Sequence, residues 1–237
     1  MPVTVVTISL PAYTVTDRYD RERRGRCTVR ARIIEQGRIV VMVNGITLAA
    51  KPTLLGDLVL LRPVGVADVD GAAELVTDPE TVRLTGTHAA LDRERLERWY
   101  ATRGEQDDRL DLAVVERATE QYVGEVVLMQ LDQDNRSCSF RIALIGAHAV
   151  GRGLGTEATR LVLAYAFETV GVHRVGLEVF AFNPRARHVY QKVGFVHEGT
   201  KRHALRWEGA WIDADIMAIL ADDWAAHRRW PDVVVRN

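Results

Sequence analysis

Cysteine is scarce in this chain, which has two among 237 residues, Cys27 and Cys138. Their spacing matches neither a zinc-ligand pattern nor a C-x-x-C redox motif. Two isolated thiols predict a reducing compartment, in which each behaves as a small apolar residue. The histidines are scattered as well and lack metal-ligand spacing, so the sequence predicts no metal site.

Long apolar runs are also missing, because no stretch reaches the ~18 residues that are needed to span a bilayer. The N-terminal sequence MPVTVVTISLP lacks the basic start and the small-residue cleavage site of a signal peptide. We therefore expect a soluble, cytoplasmic protein that has no membrane partner.

The two signs of charge are nearly balanced, since the chain has 31 Lys and Arg and 32 Asp and Glu, for a net charge of −1. No global field favours nucleic acid or an anionic membrane, so no nucleic-acid partner is expected. We interpret one local basic cluster as a solvated loop. Its members are Arg21, Arg23, Arg24 and Arg26. The 47% apolar content is enough for a packed core.

The first 52 residues have the pattern of β structure. Alternating residues predict strands over 26–34, 37–43 and 46–50, with a turn at 35–37 and a hairpin at Asn44-Gly45. We predict a small antiparallel β extension over 1–52 that is followed by a second domain over 53–237.

The pattern of residues 53–237 indicates a mixed α/β domain. Strand and helix signals alternate along it, and the helix predicted over 153–170 joins strands predicted over 137–146 and 173–181. This order predicts one parallel crossover in a sheet that is otherwise largely antiparallel. Further strands are predicted over 56–63, 110–116, 121–131, 195–205 and 211–221, and further helices over 66–77, 91–103, 183–192 and 222–230.

Three glycines lie between a predicted strand and a long predicted helix, at Gly151, Gly153 and Gly155. A glycine-rich turn before a helix exposes backbone N–H groups that bind phosphate, with the help of the helix dipole. Arg152 and Thr156 are candidates for further contacts. The alternative is a helix that merely needs a tight entry. A Walker motif is excluded because no GK[ST] follows, and the dinucleotide pattern is broken by Thr156.

The stretch LEVFAFNPRARHVYQKVGF (177–195), together with VGRGLGTEA upstream, resembles the GNAT N-acetyltransferase family. The resemblance extends from about Leu58 to Trp224. It is closest to the subgroup of ribosomal-protein alanine and spermidine acetyltransferases. The resemblance implies the GNAT fold, a mixed and mostly antiparallel twisted sheet that is flanked by helices. One departure is Val150, which stands where the family usually has Gln or Arg.

The resemblance also implies acetyl-CoA as the acetyl donor, and it suggests which residues bind it. The pyrophosphate would lie on main-chain amides of the loop, and the pantetheine arm would pair with the end of the strand at 142–146. Amides near Ile145 would polarise the thioester carbonyl, as oxyanion donors do. The cofactor-binding residues implied in this way are Ile145, Val150, Gly151, Arg152, Gly153, Leu154, Gly155, Thr156 and Asn183.

Two catalytic residues follow from the same resemblance. Glu178 matches the family's base, which acts through water, and Tyr190 matches the tyrosine that protonates the departing thiolate. The alternatives are an outward-facing acid on a strand for Glu178 and a packed aromatic ring for Tyr190. Asn183 has a second interpretation as a helix N-cap, and Asp213 is interpreted as structural.

The resemblance implies transfer of acetyl to a primary amine by direct attack, and it leaves the acceptor open. A protein N-terminus and a small-molecule amine both fit. Ser139 weakens a polyamine assignment, because the spermidine enzymes carry an acidic residue there. The alternative function is a non-catalytic acyl-CoA sensor with the same cleft. A homodimer is possible because hairpin edges in the N-terminal extension favour pairing.

Overall fold

The computed structural model describes residues 29–34, 38–43, 46–88, 92–146, 149, 151–227 and 234–236. The chain divides into two compact units, Met1–Ile46 and Thr47–Asn237. In the first unit, strand β1 (Val29–Ile34) pairs antiparallel with β2 (Arg38–Val43), from Val29 opposite Val43 to Ile34 opposite Arg38. The predicted turns at 35–37 and 44–45, the arginine cluster and Cys27 lie outside the described residues.

The third strand predicted for the extension, over 46–50, does not form. Residues 47–51, which belong to the second unit, instead pack on the loop at 106–109 of the same unit. Leu48 is fully buried, and its N–H donates to the Asp107 carbonyl at 2.9 Å. The Lys51 ammonium donates to three carbonyls, those of Leu48, Gln106 and Arg109, at 2.5–2.8 Å. The predicted division into 1–52 and 53–237 stays a prediction.

The second unit is built on one mixed sheet, whose nine strands within the described residues have the order β11-β3-β4-β5-β6-β7-β8-β10-β9. The strands are β3 (Thr53–Leu55), β4 (Val59–Pro63), β5 (Leu110–Glu116), β6 (Tyr122–Asp132), β7 (Ser137–Leu144), β8 (Arg174–Phe180), β9 (Val196–Trp207), β10 (Ala210–Leu220) and β11 (Val234–Arg236). Every neighbouring pair is antiparallel except β7 and β8, which are parallel. The predicted fold class, with its single parallel crossover, is confirmed.

Helices cover both faces of this sheet. They are α1 (Val69–Thr77), α2 (Pro79–Thr85), α3 (Arg93–Thr102), α4 (Leu154–Ala164), α5 (Pro184–Val193) and α6 (Ala221–His227). Leu75 of α1 packs with Ala143 and Ile145, so α1 lies on the face of β7 that these two residues occupy. Phe140 lies on the opposite face and contacts Tyr190 of α5, and a Cβ on Gly155 of α4 would lie 3.2 Å from Leu144 on that face. The sheet therefore separates an α1–α2 face from an α4–α5 face.

Local capping explains where several helices begin. Asp92 accepts a hydrogen bond from the Arg95 amide at 2.7 Å and thereby caps the N-terminus of α3. Helix α2 was not among the predicted elements, although its signals are present in the sequence. Asp78 caps it by accepting from the Thr81 amide at 2.7 Å, Pro79 opens it, and Gly86 ends it at a φ of 63°.

Candidate active site

Strands β7 and β8 are paired over only three positions. Ser137, Cys138 and Ser139 lie opposite Arg174, Val175 and Gly176, and the ladder stops there although both strands continue. The two strands therefore part beyond Ser139 and Gly176, and a cleft of about 940 Å³ borders the gap. The narrow end of this opening lies at Ser139 and Gly176.

The amides of β7 that face this gap follow from its pairing with β6. The Ile145 N–H donates to the Val123 carbonyl at 2.9 Å, and antiparallel ladders alternate between bonded and non-bonded pairs. The N–H groups of Ile142 and Leu144 therefore point away from β6 and toward the gap. The Leu144 carbonyl on the same side accepts from the Thr81 hydroxyl at 3.2 Å. The amide of Ile145 is occupied, so a contact of this residue with the donor would have to use another atom.

The glycine loop at the start of α4 presents unpaired backbone donors. Gly151 and Gly153 have φ values of 78° and 85°, and Gly153 is an N-cap without a side-chain hydrogen bond. The first bond within the helix joins the Glu157 N–H to the Gly153 carbonyl at 3.0 Å, so the three preceding amides, 154–156, have no helical partner. A Cβ at Gly151 would meet no atom within 4 Å, so its backbone is open to a ligand. This geometry fits a phosphate cradle.

The side chains of the loop contribute less than its backbone. Gly151, Gly153, Gly155 and Thr156 line the cleft. The Arg152 guanidinium instead pairs with the buried carboxylate of Glu116, with one contact at 3.2 Å. The predicted phosphate contact of Arg152 is therefore not favoured by this conformation. Val150 lies outside the described residues.

Glu157 fixes the loop to the sheet and was missed by the sequence analysis. Its side chain is 5% exposed, and its two carboxylate oxygens accept from the amides of Asp57, Leu58 and Val59 at 2.7–2.9 Å. A Cβ on Gly56 would lie 2.6 Å from the same carboxylate. The available signal was an acid in the first turn of an otherwise apolar helix, which does not reveal a partner a hundred residues away.

Helix α5 brings Asn183 and Tyr190 to the cleft. Asn183 caps the helix by accepting from the Ala186 amide at 3.0 Å, and its side chain also lies at the cleft wall. Tyr190 follows seven residues later, two turns along the same face. Its ring is buried with centroids 6.0 Å from Phe140 and 5.7 Å from Phe195, and it also lines the cleft. Burial raises the pKa of the Tyr190 phenol above its usual value, so the hydroxyl holds its proton at neutral pH.

Glu178 lies on β8 two residues beyond the last paired position and borders the cleft. Its side chain is half exposed, and the Lys201 ammonium on β9 contacts its two oxygens at 3.3 and 3.4 Å. No local pattern in the sequence indicates this partner. Asp213 accepts from the His203 amide at 2.8 Å, which supports the structural interpretation of Asp213.

A second acid, Glu125 on β6, was also missed. It accepts a hydrogen bond from the Tyr122 hydroxyl at 2.9 Å. Burial raises the pKa of Glu125 to about 7, the Arg141 guanidinium opposes that rise, and the charge of Asp68 adds to it. Its position on an alternating strand resembles that of a surface acid, so the sequence carried no signal of its burial.

The pKa of Glu125 predicts a pH dependence of stability. The unfolded chain loses this proton near ~4.3 and the folded chain near 7, so the free energy of unfolding should fall as pH rises between these values and level off above. The loss should reach about 2–3 kcal/mol by pH 8. Urea unfolding at pH 5, 6, 7 and 8 should show this decline in the native protein and a flatter profile in Glu125→Gln, whose amide oxygen still accepts from Tyr122. Glu94→Gln, which alters an exposed acid of α3, is the matched control. Equal slopes in the native protein and Glu125→Gln would contradict the prediction.

Two further observations concern what the described residues lack. They contain no group of three or more His, Cys, Asp or Glu side chains that is arranged to hold a metal ion. None of their helices has the length and apolar character that a membrane crossing requires.

Comparison with known proteins assigns the family. The acetyltransferase (GNAT) domain family matches residues 59–196, which is more than half of the chain. The probable N-acetyltransferase YjcK of Bacillus subtilis is 26% identical over 177 residues, which cover 72% of this chain and 98% of that protein. The spermidine N(1)-acetyltransferase of Vibrio cholerae is 33% identical over 107 residues, which cover 45% of this chain and 61% of that enzyme.

A solved structure agrees with these relatives at the level of the fold. Spermidine N-acetyltransferase from Vibrio cholerae, in complex with CoA and spermine, superposes with a TM-score of 0.67 at 24% identity, covering 72% of this chain and 99% of that one. The family, activity and acetyl donor expected from the sequence are confirmed. The chain belongs to the GNAT family and is an N-acetyltransferase that uses acetyl-CoA.

Proposed function

We propose that the cleft between β7 and β8 is the active site, in which Glu178 and Tyr190 assist acetyl transfer to a primary amine. One observation carries the proposal. A single cleft borders the uncapped turn of α4 and also Tyr190 and Glu178 near the point where the strands part. A donor held at the loop would then place its reactive end between the two candidate catalytic groups.

The main chain supplies most of the groups that would hold the donor. Acetyl-CoA supplies an activated acetyl group when it is bound. The amides of 151–156 would hold its pyrophosphate, with Asn183 on the facing helix. The N–H groups of Ile142 and Leu144 are the donors available along the gap, where they would bind the pantetheine arm or the thioester oxygen.

Glu178 is suited to accept the amine proton through a water molecule. An amine with a pKa near ~10.4 needs about 4–5 kcal/mol to lose its proton at pH 7, so a base is useful. The half-exposed position of its carboxylate, beside the Lys201 ammonium, leaves room for that water. Tyr190 would supply the proton that the departing thiolate needs, because its hydroxyl is protonated at neutral pH.

The relatives' names do not by themselves identify the amine that accepts the acetyl group from this enzyme. Spermidine enzymes among the relatives support a small amine, and a protein N-terminus stays a second possibility. Ser139, at a position where the resemblance implies an acid in the spermidine enzymes, donates to the Gln130 side chain at 2.8 Å and carries no charge. We therefore propose an acceptor other than a polyamine. The cytoplasmic location and a homodimer formed through the open edges of the β1–β2 hairpin are proposals as well.

A panel of amines tests the proposal. Polyamines, amino acids, monoamines and peptides with free N-termini are incubated with acetyl-CoA and the full chain, and free thiol release is measured. At least one amine should raise thiol release well above hydrolysis without acceptor. Tight acetyl-CoA binding with no release for any amine would instead favour the sensor alternative.

A further inference from the structure

Arg141 and Glu178 form a pair of opposite charges on the two sides of the gap. Ser139 lies opposite Gly176 in the last paired position, and Arg141 and Glu178 each follow two residues later. Because side chains alternate along strands, both project from the α1–α2 face, where Phe180 lies beside Gly86 at the end of α2. Both side chains line the cleft.

No carboxylate among the described residues forms an ion pair with the Arg141 guanidinium. Within the described part of the chain, it makes no hydrogen bond or ion pair, whereas the cleft-lining Arg174 and Arg185 pair with Glu198 and Glu80. The acid that acts on it electrostatically is the half-buried Glu125. Its pKa is raised to about 7, so its carboxyl is partly protonated at neutral pH. Arg141 therefore brings a positive charge that Glu125 offsets only in part to the α1–α2 face of the cleft.

Glu178 does not neutralise this charge, because Lys201 already contacts both of its oxygens. Gln130 and Ser139 are hydrogen-bonded to each other, and neither side chain carries a charge. A cationic polyamine whose amine reached Glu178 would meet the like charge of Arg141 in the same cleft. An anionic group on the acceptor would instead find a planar guanidinium able to bind it through two hydrogen bonds.

We propose that the acceptor is an amino-acid-like molecule, whose amine is presented toward Glu178 and whose nearby carboxylate binds Arg141. This inference rests on the proposed active site and adds the chemical class of its acceptor. Arg141 would act as a specificity residue that lowers KM for carboxylate-bearing amines and has little influence on the chemical step.

The test compares each amine with its own carboxylated counterpart. The probes are L-tyrosine with tyramine, L-methionine with 3-(methylthio)propylamine, and L-lysine with 1,5-diaminopentane, measured by thiol release with the full chain. For the best pair, kcat/KM should be at least about tenfold higher for the amino acid. Arg141→Met should lower that value by about 10- to 100-fold through KM and leave the decarboxylated partner within about twofold. The kcat/KM of Arg141→Lys for the amino acid should lie between those of the native enzyme and Arg141→Met. Lysine keeps the positive charge but loses the planar guanidinium that makes two parallel hydrogen bonds.

Matched controls keep the result interpretable. Arg95→Met removes an exposed arginine of α3 that makes no described ion pair. It should leave kcat/KM unchanged for both the amino acid and its decarboxylated partner. Equal rates for both members of every pair, a preference for spermidine, or no effect of Arg141→Met on amino acids would overturn the inference while the active-site proposal stands. If none of the amines tested causes thiol release, the active-site proposal and this inference are both overturned.

Discussion

Tyr190→Phe is expected to lower turnover by about 10²- to 10⁴-fold while acetyl-CoA binding persists. The substitution removes one hydroxyl and keeps the ring that packs on Phe140 and Phe195. Because burial keeps the phenol protonated, its loss removes the group proposed to protonate the departing thiolate. Thiol release at saturating substrates measures the first effect, and calorimetric titration with acetyl-CoA measures the second.

Tyr165→Phe provides the matched control for this result. Tyr165 is also buried, and its hydroxyl lies 3.5 Å from the Ala50 carbonyl rather than in the cleft wall. Its removal should leave kcat within about twofold. Turnover of Tyr190→Phe within twofold of the native enzyme would refute the general-acid role. Loss of acetyl-CoA binding in the same variant would point to a packing role instead.

Glu157→Ala is expected to lower the free energy of unfolding by about 2–4 kcal/mol. Its carboxylate is the acceptor for three amides of the β3–β4 turn, at Asp57, Leu58 and Val59, and the Val59 amide is buried. Deleting it leaves these donors without partners and also leaves a void beside Gly56. Since Glu157 sits in the first turn of α4, the glycine loop should loosen too, and KM for acetyl-CoA should rise.

Urea unfolding at pH 7 measures the stability change. Glu157→Gln keeps one acceptor oxygen but turns an NH₂ group toward the backbone donors. Its free energy of unfolding should therefore fall by less than that of Glu157→Ala. Glu94→Ala, which removes a 78%-exposed acid from the first turn of α3, should stay within about 0.5 kcal/mol of the native protein. A Glu157→Ala variant that is equally stable would show that the turn amides find water or other partners.

The parts of the site that were predictable depend on residues close together in the chain. The loop glycines, the Asn183-Pro184 start of α5 and the Tyr190 position two turns later are all local patterns. They also carried the resemblance that implied the fold and acetyl-CoA. The error at 46–50 has the opposite origin, since alternation there indicated a strand while Leu48 and Lys51 found partners in a distant loop.

The sequence by itself determined the family, the alternation of strands and helices, and the glycine loop, because hydrophobic period, capping and turn chemistry act over a few residues. Only the tertiary structure decided which charges meet. Glu116 pairs with Arg152 and Lys201 pairs with Glu178, whereas Arg141 has no ion-pair partner in the part of the chain that the structure describes. The surroundings of Glu178 and Arg141 depend on strand register, and the Arg152 pair depends on how the loop before α4 meets β5. Both are set by packing of the whole domain, so no local pattern encodes them.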